Sequence, residues 1–235
     1  MKKIDIFNED SICIFTDSSF KNESKNPKIA IGTTAPSFEV FHNETCIETG
    51  FHILHNSTSQ QGELYAVLLG VMASYKYRNF KHIRLFSDSQ NSILGIRDRI
   101  FNWVRDTNNG KSVLGDDGRI NNQSYIMDIV YTIIYNNIPI EFYHQKGHVN
   151  IKNYQNIIEA RDLFKRSNNI YGFVEDSLII TISQINNWVD QYSSLMLKNN
   201  ISDPKYFTEG LTPAVEIGYA PFDISNYYNL VKKEK

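Results

Sequence analysis

Apolar and polar positions along the chain follow two different periods. Ser11 to Asp17 is a short apolar run with polar residues at its borders, and it reads as a first strand. After a polar turn from Ser18 to Asn26, Lys28 to Thr34 reads as a second strand. Phe38 to His42 and Thr45 to Leu54 read as further extended chain, with a reversal at Asn43-Glu44 that predicts hairpin pairing. From Ser59 to Tyr77 the period lengthens, with Leu64, Val67, Leu68, Val71 and Met72 at helical spacing. Lys81 to Ser87 predicts a strand, and Ser89 to Ile100 a helix with Ile93, Ile96 and Ile100 on one stripe. Arg105 to Asn122, with its Asn-Asn-Gly and Gly-Asp-Asp-Gly groups, reads as a loop. Tyr125 to Tyr135 predicts a helix, and Ile138 to His144 a last strand interrupted early by Pro139. Asp162 is read as opening a late helix.

This order predicts an α/β fold: a mixed sheet of five strands flanked by helices, its second half built from right-handed parallel crossovers. Sites in open sheets of this kind gather at the carboxyl ends of strands, where Asp17 and Asp88 both fall. Residues 1–170 are read as the main domain and 171–235 as a C-terminal extension. In the extension Leu178, Ile182, Ile185, Val189, Tyr192 and Met196 recur at steps of three and four. They predict an amphipathic helix over about 177–199, capped by Asp176 or Ser177. Docking of that seam on the chain's own core is preferred to a protein partner or self-association, because short amphipathic helices gain most of their stability that way. Beyond it Pro204, Pro213 and Pro221 predict an irregular tail, with a last short helix over Tyr227 to Lys233.

Composition narrows the classes. The chain has 235 residues, 41% of them hydrophobic, and a formal net charge of -2. No apolar stretch approaches the roughly 20 residues that span a bilayer, and the first residues lack the apolar segment of a secretory signal. Cys13 and Cys46 make no metal-ligand spacing, so a reduced, cytoplasmic setting away from membranes is the expectation. The slightly acidic balance weighs against tight nonspecific nucleic-acid binding, which draws on Lys and Arg.

Acidic residues carry the chemistry. Asp17 ends one apolar run, Asp88 follows another, Glu63 lies in the first turns of a helical stretch, and Asp162 follows the loop starting Lys146-Gly147-His148. Each alone has an ordinary reading as a strand terminus, a helix cap or a first-turn acid. Gathered in one crevice they require a cation, and Mg²⁺, which takes hard oxygen ligands and keeps reactive waters, is the simplest.

The motifs around these residues resemble the ribonuclease H family. Thr16-Asp17-Ser18-Ser19 is similar to its Thr-Asp-Gly-Ser, and Gln60-Gln61-Gly62-Glu63-Leu64-Tyr65-Ala66 to its Asn-x-x-Glu-Leu-x-Ala. Ser87-Asp88-Ser89-Gln90 resembles its Ser-Asp-Ser-Gln corner, Asn102-Trp103 the segment before its substrate-gripping handle, and Lys146-Gly147-His148 its Lys-Gly-His loop. The likeness covers roughly residues 11–170. It implies that Asp17, Glu63, Asp88 and Asp162 hold two Mg²⁺ ions, with Mn²⁺ as substitute, and that His148 assists proton movement and product departure. It further implies that Ser19, Gln60, Gln90 and Trp103 contact substrate, the two glutamines reading the minor groove and the ribose 2′-hydroxyl. The implied reaction is endonucleolytic cutting of the RNA strand of an RNA–DNA hybrid. Departures are Ser18 and Gln60 in place of glycine and asparagine, and a handle poor in Trp and Lys. The loop after His148 is also longer than usual and lacks the family's Asn-Glu-x-x-Asp approach to its last helix, leaving Glu159 as reserve for Asp162. Alternatives are a nuclease of this fold acting on DNA, and a non-catalytic binding or scaffold protein using the C-terminal helix.

Overall fold

The computed structural model describes residues 5–24, 30–108 and 138–199, with the backbone alone over 100–108. β1 (Ser11–Asn22), β2 (Gly32–His42) and β3 (Thr45–Phe51) form an antiparallel meander. The β2–β3 reversal is the predicted one, and Asn43 and Glu44 turn with φ of 49° and 62°, the left-handed pair that tight hairpins require. β5 (His82–Ser87) and β6 (Ile140–His144) then add in parallel, giving the order β3-β2-β1-β5-β6. The expected mixed sheet is present.

A sixth strand departs from the expectation. β4 (Leu54–Ser57) pairs with β2 separately from β3. The reason lies in Pro36, inside β2: its carbonyl accepts from the His52 N–H at 2.9 Å, but it has no N–H to return. The ladder breaks there, and one expected strand over 45–54 becomes two. β1 also runs five residues past Asp17, so Asp17 lies within the strand and not at its tip.

α1 (Ser59–Ser74), prolonged by a 3₁₀ turn at Tyr75–Tyr77, starts at a capping box in which Thr58 and Gln61 satisfy each other's backbone N–H. α2 (Gln90–Asn108) runs past the predicted end at Ile100 and takes in the first residues of the predicted loop. α3 (Tyr154–Ser167) is capped by Asn153, so Asp162 sits in its second half and does not open it. α4 (Asp176–Asn199) is the predicted amphipathic helix. The predicted helix over 125–135, the rest of the 105–122 loop, and the tail with its helix over 227–233 lie outside the described residues.

Alternation along the strands sends side chains to two cores. Ile12, Ile14, Phe38, Val40, Ile83 and Leu85 face α1 and α2. Cys13, Phe15, Phe41 and Phe86 face α3 and α4, where Phe164, Ile179, Ile182, Ile185 and Val189 cover them. This second core contains a row of stacked rings, Phe15–Phe86–Tyr143–Phe164, with centroids 4.6, 5.1 and 5.9 Å apart, each contact contributing about 0.5–1.5 kcal/mol beyond burial. The buried Cys13 thiol is pushed up to about 12 by loss of solvent, which makes it inert filling. α4 thus lies on β1 and β2 as a wall of the same core. Among the described residues no helix is long and apolar enough to cross a membrane.

One polar group disagrees with its surroundings. Glu39, in the middle of β2, is buried, and neither carboxylate oxygen has a hydrogen-bond partner. Desolvation raises its pKa to about 7. A raised carboxylate pKa costs stability as pH climbs from the unfolded value through the folded one. Glu39→Gln therefore raises the thermal midpoint at pH 8 by at least ~2 °C and leaves it unchanged at pH 4, measured by calorimetry at both.

Candidate active site

Three acidic side chains converge beside the middle of β1 and the carboxyl end of β5. Asp17 shares a face with Cys13 and Phe15 by strand alternation, and Asp88 follows the last residue of β5. Glu63 arrives from the first turns of α1, over the ends of those strands. Oxygens of the three lie within 4.8 Å of one another. Two glycines make the approach possible. A Cβ at Gly62 would stand 2.4 Å from Ser18 Oγ, so only glycine lets α1 start so close to β1. A Cβ on Gly147 would collide with Asp88 Oδ2, so only glycine lets the Lys146-Gly147-His148 loop press against that carboxylate.

The electrostatics follow from this crowding. Burial and then Asp88 push Asp17 up to about 8, against the pull of the Ser18 N–H, which donates to Asp17 Oδ1 at 2.7 Å. Glu63 is raised well above the usual carboxylate range by burial, Asp17 and Asp88, and its Oε2 is buried without a partner. Asp88 is raised by burial, while a hydrogen bond from Asn186 and the nearby His148 pull it back. Asp190 raises all three. Orphaned, mutually repelling hard oxygens fit a divalent cation, which both satisfies them and cancels their charge.

Asp190 is the residue the sequence reading misses. It belongs to α4, and its Oδ2 lies 3.6 Å from His148 Nδ1. His148 is held at φ 50° with a side chain 79% exposed, at the mouth of the cluster. Asn186, one turn before Asp190, donates to Asp88 Oδ2 at 3.3 Å. The chain carries a partial signal: Asn186-Asn187-Trp188-Val189-Asp190 has the Asn and Asp of the family's Asn-Glu-x-x-Asp at the same spacing, with Asn187 in place of the glutamate and α3 lying between it and His148. Asp162 is not brought to the cluster. Its side chain is 57% exposed, 3.8 Å from Arg161, in a surface cleft with Lys146, Glu159, Leu163, Lys165 and Arg166. Glu159 lies in that cleft too, paired with Lys146 at 2.7 Å.

The remaining expected residues are distributed around the rim. Ser19 is bonded to α4, its hydroxyl 2.9 Å from Ser193 Oγ and 2.7 Å from Ser194 Oγ. Gln60 donates to Ser92 Oγ at 3.4 Å, linking the starts of α1 and α2. Gln90, the first residue of α2, is exposed. Trp103 is on α2, where the backbone alone is described.

The RNase H family model matches residues 9–163. The chain belongs to the RNase H family. This is a family of divalent-metal-dependent, nucleic-acid-binding hydrolases, and the acidic cluster is a candidate site for such a metal. Among solved structures the chain is similar to the prototype foamy virus protease–reverse transcriptase, at 15% identity and a TM-score of 0.48. That likeness covers 69% of this chain and 21% of that one, so the chain spans about a fifth of the viral protein's length. It is similar to the isolated foamy virus (PFV) RNase H domain at 17% identity and a TM-score of 0.46, covering 70% and 96% of the two chains. It is also similar to RNase H1 of the halophilic archaeon Halobacterium salinarum, at 14% identity and a TM-score of 0.41, covering 66% and 93%. No curated protein matches the chain.

The crowding has a measurable consequence. With no cation present, stability falls as pH rises from the ordinary carboxylate range through about 8, where Asp17 loses its proton. Added Mn²⁺ raises the thermal midpoint of the wild type at pH 8. Asp17→Asn shows a smaller loss with pH and no response to Mn²⁺, read by scanning calorimetry with and without the ion.

Proposed function

We propose that the protein is a divalent-cation-dependent endonuclease that hydrolyses the RNA strand of RNA–DNA hybrids. The observation that carries this reading is the meeting of Asp17, Glu63 and Asp88 within 4.8 Å in a chain of the RNase H family. These three, with Asp190 as the fourth carboxylate in place of Asp162, would hold two Mg²⁺ ions, and Mn²⁺ would substitute. Bound there, the ions supply activation of a water and neutralise charge at the leaving 3′-oxygen, so that cutting leaves a 5′-phosphate.

The chain's own residues have separable tasks. The carboxylates ionise fully only against positive charge, so cation binding and deprotonation of Asp17 and Glu63 are linked. The Ser18 N–H fixes one oxygen of Asp17 and leaves the other for a cation. His148, exposed and beside Asp190, would assist proton movement and product departure at the edge of the site. Gln60 and Gln90, at the starts of α1 and α2, would test the ribose 2′-hydroxyl, the group that separates RNA from DNA.

The test is cleavage of matched hybrid, RNA duplex and DNA duplex with Mg²⁺ or Mn²⁺. The wild type cuts the RNA of the hybrid and spares the duplexes and single strands. Asp88→Asn abolishes cutting, Asp190→Asn lowers kcat by about 10²-fold or more, and Asp162→Asn stays within about twofold of wild type. Cutting of DNA alone would refute the ribose-reading role. Loss of activity in Asp162→Asn with Asp190→Asn unimpaired would return the fourth position to α3. Absence of both cutting and cation binding would favour a scaffold.

A further inference from the structure

Asp88 is held by a side chain outside the family match. Asn186 on α4 donates from Nδ2 to Asp88 Oδ2, and Gln145, just past β6, donates from Nε2 to Asn186 Oδ1. Both amides are buried, Asn186 with 1% and Gln145 with 2% of its surface exposed. We propose that Asn186 is a positioning residue that holds the Asp88 carboxylate, and that Gln145 fixes the direction of the Asn186 amide. The cation that Asp88 is held for belongs to the functional reading above, and the relay rests on that reading in this respect alone.

The direction of the relay follows from the chemistry at its end. A carboxylate only accepts, so Asn186 must turn its NH₂ toward Asp88. Its carbonyl then faces Gln145 and needs a donor, so Gln145 must present its own NH₂. This leaves Gln145 Oε1 buried with no partner. An orphaned buried acceptor is costly, and a purely structural amide pair would not be arranged to create one. Turning Gln145 over would bring its carbonyl against that of Asn186. Turning Asn186 over as well would bring a carbonyl against Asp88. The orphan at Gln145 is therefore the far end of a chain whose polarity is set by the charge on Asp88.

The rest of the local structure fixes both ends. The Gln145 N–H donates to the Ser87 carbonyl at 3.1 Å, which ties Gln145 to the residue before Asp88. His144 Nε2 lies 3.3 Å from the Asp88 carbonyl, and the Gly147 backbone closes against Asp88 Oδ2. Asn186 is seated by its neighbours Ile182, Ile185 and Val189 in the second core. With Oδ2 engaged, Oδ1 is the oxygen left for a cation. A free carboxylate would rotate between the two, and an outer partner that stops this rotation typically contributes 10–100-fold in metal affinity.

The experiment has two readouts on the full-length chain. In metal-free, ¹⁵N-labelled protein the Asn186 side-chain amide, identified by its loss in Asn186→Leu, exchanges slowly with solvent and shifts in both Gln145→Met and Asp88→Asn. By calorimetry, Asn186→Leu binds Mn²⁺ 10–100-fold more weakly than wild type. Gln145→Met, which leaves α4 untouched, weakens binding in the same direction by less. Asn187→Ala, which removes only a contact to the Val149 carbonyl, leaves Mn²⁺ affinity unchanged, and thermal midpoints in chelator stay within a few degrees for all three. An Asn186 amide that exchanges as fast as an exposed asparagine overturns the relay, as does unaltered Mn²⁺ affinity in Asn186→Leu and Gln145→Met. A wild type that neither binds Mn²⁺ nor cuts hybrid removes the hydrolase reading, and the amide resonances alone then decide the relay.

Discussion

Repulsion among carboxylates stripped of water is the constraint around which the carboxyl edge of the sheet is arranged. Asp17, Glu63 and Asp88 come from three separate elements, and each is raised by burial before any neighbour is counted. Nothing in hydrophobic packing favours such a meeting. It persists because the strands beneath are clamped on both faces, by α1 on one side and by the row of rings from Phe15 to Phe164 on the other. The fold holds the acids in an arrangement that their own energetics oppose, which is where function is expected to break local rules. Among the described residues the counterweights are weak: the Ser18 N–H, the Asn186 amide, His148 and the backbone N–H of Asp88 itself. The remainder is left for a cation.

α4 shows how one helix serves two masters. Ile182, Ile185 and Val189 form its apolar stripe against the sheet. Asn186, Asp190 and Ser194 recur at steps of four and form a second stripe, turned toward Asp88, His148 and Ser19. The two stripes are rigidly coupled because they share a backbone. Burial of the apolar stripe thus sets the height and rotation at which the polar one meets the strands, and core packing positions chemistry without any extra device.

Much of this is legible in the sequence, for reasons that differ from residue to residue. Ile12 to Phe15 is apolar at every position, and β5 is apolar at Ile83, Leu85 and Phe86 with Arg84 between, because both faces of those strands are covered, and that makes them unmistakable. The convergence of Asp17 and Asp88 is legible because the two strands are parallel neighbours in register, Thr16 beside Ser87, so the residue after each falls at the same level. The split between β3 and β4 is not, since it depends on which edge of β2 the nitrogen of Pro36 faces. Glu39 is likewise silent, an ordinary glutamate in an ordinary strand until the second core closes over it. The place of Asp190 is hidden for a different reason. Its helix is read by its apolar seam, and the polar stripe beside that seam has no meaning until a partner surface is known.

The meeting of His148 and Asp190 across a long stretch of sequence follows from how α3 is folded between them. Closing a longer loop costs entropy that grows only slowly with its length, so a segment between His148 and α4 is tolerated if it returns the chain to the same point. α3 does this by packing and by stapling. Ile157, Ala160 and Phe164 bury against the second core. At the far end Asn168 bonds both the N–H and the carbonyl of His144, at 2.9 and 2.7 Å. The segment therefore ends on the strand from which it departed, and α4 sets out from beside β6 much as it would from a short turn. His148 and Asp190 are far apart along the chain and 3.6 Å apart in space. At such an edge, counting residues from His148 leads to Asp162 on an outer helix face, whereas asking which helix covers the strand ends leads to Asp190.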